Sequence, residues 1–304
     1  SSYGAYIFFN MLSAYTLVSP FGKTPWECVK SPDNNNCLIK KEYIMKILKF
    51  IITTLLLLIP FAETAKAELA DILASGVVKI GVPESFPPFG SLNEEGEHVG
   101  YDVDVAKLIA EDLGVKVEII PVVSKQRIPF LETDKLDLVI STLGANPKRA
   151  KSIWFSAAYA PFYTGAFGKK ELNVESIDDL AGLKVGLTGG TIEDIQVTDE
   201  APEGTKILRF GDNAATQASF VSGQVDVIIT SNVVAAAMSE ANPNLDISTK
   251  YISKYGASFI GVKKGQIDLL QWVNVWIMHK KLNGKLNEIS LKWLGQPLPE
   301  LPTF

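Results

Sequence analysis

The chain has 304 residues, 47% of them apolar and 21% charged, which is enough to bury a substantial core in two domains and too apolar for a disordered chain. The formal net charge is −5, and from Glu68 onward 30 acidic residues stand against 22 basic ones, a net −8. No basic run interrupts that balance, which argues against nucleic acid or an anionic membrane as partner.

In chain order, the first interpretable segment is Met45 to Ala67, MKILKFIITTLLLLIPFAETAKA. Lys46 and Lys49 precede the apolar run Ile51 to Ala62, and Ala65-Lys66-Ala67 follows it. This is the three-part pattern of a secretory signal peptide, with Glu68 as the expected mature N-terminus. A membrane span needs about 20 predominantly apolar residues, and this run is shorter, with Pro60 near its end. Residues 1–44 precede a segment that should begin a protein, so they are read as a misplaced start and excluded from fold reasoning. Cys28 and Cys37 both fall there, leaving the mature chain without a disulfide framework, a thiol nucleophile or a lipoprotein cysteine. A freely soluble exported protein is expected.

After a short opening helix carrying Leu69, Ile72 and Leu73 and closed by Gly76, apolar strands alternate with amphipathic helices. Val77 to Val82 reads as a strand. Tyr101 to Leu113 is a helix with Val103, Ala106, Ile109 and Leu113 on one face and Gly114 at its end. Val115 to Val123 is the next strand, and Ser124 is placed to cap a helix opening Lys125-Gln126-Arg127. The stretch DLVISTLGANPKRA, Asp137 to Ala150, then puts a β-branched strand, a glycine break and an Asn146-Pro147 helix start within reach of Arg149. Hydroxyls, free amides, a helix dipole and a guanidinium all favour one partner, a carboxylate or another small oxyanion.

A second unit comes next. Ser176 with Asp179 is capping-box-like, Leu183 to Leu187 is a strand, and Thr188-Gly-Gly-Thr191 opens a helix. Strands at Lys206 to Phe210 and Val225 to Thr230 flank a helix around Ala214 to Val221. Helices at Ile267 to Leu282 and Lys285 to Trp293 close the chain. The rhythm predicts α/β layers with a largely parallel sheet, in two lobes with a cleft between them. In such sheets ligands sit outside the carboxyl ends of strands. That rule selects the loops Glu84 to Phe89, Ser124 to Arg127, Ser141 to Arg149 and Thr188 to Glu193, with Thr230-Ser231-Asn232 as a fifth.

The motifs VVKIGVPESFPPFG, GYDVDVAKLIAEDLG, RIPFL, LDLVISTLGANPKRA, IWFSAAYAPF, LKVGLTGGT, SGQVDVIIT and LKWLG arrive in this order across Glu68 to Gly295. Together they resemble the family 3 extracellular solute-binding proteins, the periplasmic components of polar amino acid ABC transporters. The resemblance implies the type II periplasmic-binding fold, two α/β lobes joined by a two-strand hinge with the ligand in the cleft. It divides the chain into one lobe of residues 68–163 and 256–304 and another of 164–255. It also implies a monomer that needs no cofactor and delivers its ligand to an inner-membrane permease.

Carried over residue by residue, the pattern makes Phe86 the aromatic over the ligand's side chain. Ser141, Thr142 and Gly144 become the strand-end groups that meet the ligand, and Arg149 the grip on its α-carboxylate. Thr191 would complete that cradle from the second lobe. Arg127 resembles the arginine that reaches a distal carboxylate in members binding acidic amino acids, although it also fits a solvated first-turn residue. A cation there is electrostatically disfavoured without an anion to meet it.

One position departs from the pattern. Many members carry an aspartate for the ligand's α-ammonium where this chain has Ser231, followed by Asn232. A buried ammonium without a counter-charge is costly, so either another carboxylate substitutes or the ligand has no ammonium. Glu193 is the acid in a candidate loop that could reach, though it equally suits an ordinary helix N-terminus. The expected ligand is therefore a polar amino acid, acidic ones included, with a non-amino organic acid as the alternative.

Catalysis is not expected. Cyclohexadienyl dehydratase shares this fold, but its catalytic glutamate falls near Val234 here, inside Val-Val-Ala-Ala-Ala, so no general acid is present. His98 and His279 lack metal-ligand spacing, so no metal is expected, and GLTGG has neither the lysine of a P-loop nor a dinucleotide fingerprint. Trp272, Trp276 and Trp293 read as core or lobe-surface aromatics. A receptor sensing domain would continue into a membrane span, so a freestanding transport component is the expectation.

Overall fold

The computed structural model describes residues 68–302. The signal-peptide reading, the upstream extension and both cysteines lie outside the described residues. Helix α1 (Glu68–Ser75) leads into β1 (Val77–Pro83), and the short pair β2 (Ser91–Leu92) and β3 (His98–Val99) precedes α2 (Tyr101–Leu113). Strand β4 (Lys116–Val122), helix α3 (Arg127–Glu132) and β5 (Leu138–Leu143) complete the first set. After the long β6 (Ile153–Lys169) come β7 (Lys184–Thr188), α4 (Ile192–Glu200), β8 (Lys206–Phe210), α5 (Asn213–Val221), β9 (Val227–Ser231) and α6 (Asn232–Ala241). The long β10 (Ile247–Lys263) returns, and α7 (Ile267–Leu282) and α8 (Lys285–Leu294) end the chain.

The strands hydrogen-bond in the order β4-β1-β5-β10-β6-β9-β7-β8. On one side β1 runs parallel to β4 and β5; on the other β7 runs parallel to β8 and β9. Between these groups β6 and β10 pair antiparallel along their length, from Lys263 opposite Ile153 to Ile247 opposite Lys169. The sheet is therefore mixed where the strand-helix rhythm predicted a largely parallel one. Two strands of 17 residues pass from one lobe to the other, and each is antiparallel to the lobe strand it meets. Periodicity did not show them because β6 is buried on both faces and has no apolar-polar alternation to read.

The core arises from helix faces laid on these strands. Val103, Ala106, Ile109 and Leu113 of α2 are buried with Val78, Ile80 and Val82 of β1. In the second lobe Val197 of α4 packs with Val185, Leu187, Val227 and Ile229. The start of α2 is fixed by Gly100, whose φ is +137°; a Cβ there would lie 2.3 Å from the Phe89 carbonyl oxygen, so only glycine fits. Among the described residues no helix is long and apolar enough to cross a membrane.

Two local expectations are corrected. The helix after β4 begins at Arg127 with Gln126 at its N-cap, so Ser124 does not cap it. Asn146 does accept a bond from the Arg149 amide at 2.8 Å, but the element it opens is a single 3-10 turn, Arg149–Lys151, too short to develop a helix dipole.

Candidate functional site

One cavity is lined by Phe86, Ser124, Arg127, Thr142, Phe162, Thr188, Thr191, Ile192, Glu193, Asn213, Ile229 and Thr230. These residues come from loops at the carboxyl ends of β1, β4, β5, β7, β8 and β9, plus one position on β6. Parallel strands point their carbonyl ends the same way, so residues far apart in sequence converge at one edge of each lobe.

The first lobe supplies the cations. Arg127 and Arg149 are only 4% and 7% exposed. Arg127 donates from Nε to the Ser124 carbonyl at 3.2 Å and from Nη1 to the Ser141 carbonyl at 2.6 Å. Arg149 donates from Nη1 to the Gly144 carbonyl at 2.7 Å and from Nη2 to the Gly190 carbonyl of the other lobe at 2.8 Å. Burial lowers both guanidinium pKa values, and for Arg127 the Arg149 charge adds to the effect. The first lobe also supplies the aromatic wall. Phe86 stacks on Phe89 at 5.6 Å between ring centroids, and Phe162 meets both rings.

The second lobe supplies a helix start and a carboxylate. Thr191 caps α4, accepting from the Asp194 amide at 3.1 Å while donating to the Thr188 carbonyl at 2.9 Å. Its hydroxyl is thus spent locally, and because the Asp194 and Glu193 amides meet side chains, what this corner offers a ligand is the Ile192 amide. The Asp194 carboxylate accepts from the Gly190 amide at 2.9 Å and from Arg209 Nε at 2.7 Å, which fixes the loop that Arg149 reaches. Glu193 is 5% exposed. Burial raises its carboxyl pKa, while its own amide, the Thr191 hydroxyl and the charges of Arg127 and Arg149 pull it back.

Of the residues singled out from sequence, Phe86, Arg127, Thr142, Thr191 and Glu193 line the cavity together. Gly144 sits at the lobe contact, where a Cβ would meet Ile192 at 3.3 Å. Arg149 borders the cavity through its bond to Gly190. Ser141 and Ser231 are buried outside the lining, and the Ser231 hydroxyl has no hydrogen-bond partner. Sequence reasoning missed Phe162 and Asn213. Asn213 was within reach of the strand-end rule, since it comes just after β8, and it accepts a bond from the Thr188 hydroxyl at 2.9 Å. Phe162 closes the motif IWFSAAYAPF, but it lies on a strand that periodicity did not assign, so nothing local marked it as a site residue. Among the described residues no group of three metal-ligating side chains assembles.

Two α/β lobes joined by paired long strands, with a buried polar cavity between them, define a hinged ligand-binding protein of the type II periplasmic-binding fold. The model of the bacterial extracellular solute-binding proteins, family 3, matches residues 78–296, and the chain belongs to that family. It is 31% identical over 241 residues to the ABC transporter glutamine-binding protein GlnH of Bacillus subtilis (strain 168), covering 77% of this chain and 87% of that one. The solved structure of an ancestral arginine-binding protein bound to glutamine matches with a TM-score of 0.69 and 34% identity, covering 73% of this chain and 99% of that one. A cyclohexadienyl dehydratase of Pseudomonas aeruginosa is 27% identical over 188 residues, 60% of this chain and 69% of that protein.

Proposed function

We propose that this protein captures a polar amino acid, acidic ones included, outside the cytoplasmic membrane and hands it to an ABC importer permease. In this reading Arg149 and the start of α4 take the α-carboxylate, Glu193 takes the α-ammonium, Phe86 and Phe162 cover the side chain, and Arg127 faces a distal polar or anionic group. The observation that carries it is the charge of the buried site. Arg127 in the lining and Arg149 at its border are two buried cations, and Glu193 is the acid among the lining residues, so the site offers partners for a carboxylate, a second polar or anionic group and an ammonium.

Residues 68–163 with 256–304 form one lobe in this proposal and 164–255 the other, with β6 and β10 as the hinge. The protein works as a monomer, exported after cleavage near Ala67. It is a binder and not an enzyme: Val234, where a dehydratase-like acid would stand, is a buried core residue at 1% exposure. Relatives named for glutamine, cystine and arginine binding support a polar amino acid as ligand.

A second reading, an organic acid without an ammonium, draws on Ser231, whose uncharged hydroxyl stands where many members place an aspartate. A thermal-shift screen of the purified protein against amino acids and their desamino analogues tests both. A tight ligand at 1,000 times its Kd stabilises by about 4 kcal/mol. Stabilisation by acidic or polar amino acids supports the first reading, stabilisation by dicarboxylates alone supports the second, and none by either class removes both.

A further inference from the structure

The peptide between Ser141 and Thr142 is gripped at both ends. Its N–H donates to Asp102 Oδ2 at 2.8 Å, and its C=O accepts from Arg127 Nη1 at 2.6 Å. In a trans peptide these groups point in opposite directions, so a carboxylate and a guanidinium face each other through one peptide dipole. Thr142, a β-branched residue on the cavity wall, holds φ at +44°. A left-handed backbone is unfavourable for such a side chain and persists only where its surroundings over-determine it.

Asp102 is suited to that task. It is fully buried in the first turn of α2, whose start Gly100 fixes, and its other oxygen accepts from the Tyr159 hydroxyl at 2.6 Å. Tyr159 is held in turn, since the Tyr101 hydroxyl donates to its carbonyl at 3.2 Å and the two rings pack at 6.2 Å. Nothing in this group lines the cavity, yet Asp102 holds the Thr142 amide, and the carbonyl of the same peptide accepts from Arg127, both of them lining residues.

We propose that Asp102 is a positioning residue for ligand capture: by holding the Thr142 amide it keeps Thr142 left-handed, turns that amide away from the ligand, and sets the peptide carbonyl on which Arg127 rests. The proposal deepens the reading of the cavity as a ligand site and rests on it. A residue that served folding alone would lower the melting temperature and leave the folded protein's affinity unchanged.

The test is calorimetric titration of the full chain with L-glutamate and L-glutamine, at a temperature well below every variant's melting point. Asp102→Asn, which loses the carboxylate, should weaken binding at least tenfold. Tyr159→Phe, which keeps the fold and removes one bond to Asp102, should weaken it by a smaller factor. Adding Thr142→Gly to Asp102→Asn should cost less affinity than Thr142→Gly costs in the parent, because glycine adopts φ +44° unaided. Parental affinity in both single variants would overturn the proposal. Should the parent bind neither amino acid, the ligand reading is what fails, and ligand-free crystal structures decide the positioning role. Thr142 leaving the left-handed region in Asp102→Asn upholds it, and Thr142 remaining there overturns it.

Discussion

Arg149 bonds to Gly190 across the cleft: Nη2 meets the Gly190 carbonyl at 2.8 Å while Nη1 holds Gly144 of its own lobe at 2.7 Å. One planar guanidinium therefore ties the two lobes together. It remains suited to a carboxylate, because five donors in a fixed fork exceed what two carbonyls use. In the proposed reading ligand grip and lobe closure share a residue, and closure is favoured where both sets of partners are in place.

The first prediction rests on that shared residue. Arg149→Ala removes a charge-assisted contact to the ligand and the tie to Gly190, so affinity should fall by roughly 2–5 kcal/mol. Small-angle scattering should show less compaction at saturating ligand than in the parent. Calorimetry that finds the variant within a few-fold of the parent takes Arg149 out of the site.

The second concerns the loop that Arg149 reaches. Gly190 holds φ +83°, and a Cβ there would lie 2.9 Å from Lys125 Cγ; at Gly189 it would lie 2.5 Å from Lys125 Cε. Gly190→Ala adds left-handed strain of roughly 1–2 kcal/mol that no neighbour can relieve, whereas the Gly189 clash is with the movable end of a lysine. Gly190→Ala should therefore weaken ligand binding about tenfold, by disturbing the closed contact. Gly189→Ala should do less, and Lys125→Ala should rescue only the latter. Equal effects at the two positions would contradict this account.

The third is a pH dependence. Burial raises the Asp102 carboxyl to about 7, against the Tyr159 hydroxyl, the Thr142 amide and the Arg127 charge, which lower it. Between the ordinary carboxylate range and about pH 7 a carboxyl so raised is protonated in the native state and ionised in the unfolded one, so the unfolded chain binds fewer protons and stability falls as pH rises toward 7, above which Asp102 is the carboxylate that meets Tyr159 and Thr142. Each unit is worth about 1.4 kcal/mol, so roughly 2 kcal/mol is lost between pH 5.5 and 7. Glu193, also raised by burial, acts in the same direction. The lowered Asp179 acts below its ordinary range and outside this window. Thermal melts should thus show a higher Tm at pH 5.5 than at pH 8, with a flatter profile in Asp102→Asn; a Tm that climbs over this interval counts against the assignment.

Legibility in the sequence tracked local physics. Helix α7 was readable to its ends, and β8 likewise, because turn residues bound each without help from the rest of the fold, Gly265 and Gly284 around the helix and Gly204 and Gly211 around the strand. The capping box at Ser176 and Asp179 is present for the same reason, although it opens a 3-10 turn. Strands β6 and β10 were legible only through the family resemblance, as a two-strand hinge; their pattern was silent because their partners are distant in sequence and, in β6, burial on both faces erases the period. Within the site, Arg127, Thr142 and Glu193 were reachable through strand-end loops. The bond from Asp102 to Thr142, 40 residues on, was not, since a carboxylate in the first turn of a helix looks the same whether it meets water or a buried amide.

The last prediction separates an amino acid from an organic acid at Glu193, which lies buried with Arg127 and Arg149 as its charged neighbours. With an amino acid bound, Glu193 is the carboxylate placed to offset the ammonium, since Ser231 carries no charge. Glu193→Gln then leaves that ammonium buried and unpaired, costing roughly 3–5 kcal/mol of affinity. With an organic acid bound, the same substitution removes a negative charge beside the ligand's carboxylates and leaves the two arginines to them, so binding is unchanged or tighter. Glutamate and glutarate make the comparison sharp, because they differ only in the amino group. If the amino acid reading holds, Glu193→Gln weakens glutamate strongly and glutarate little. If both bind the variant as they bind the parent, Glu193 is not the ammonium's partner, and if the parent prefers glutarate, the ligand is an organic acid.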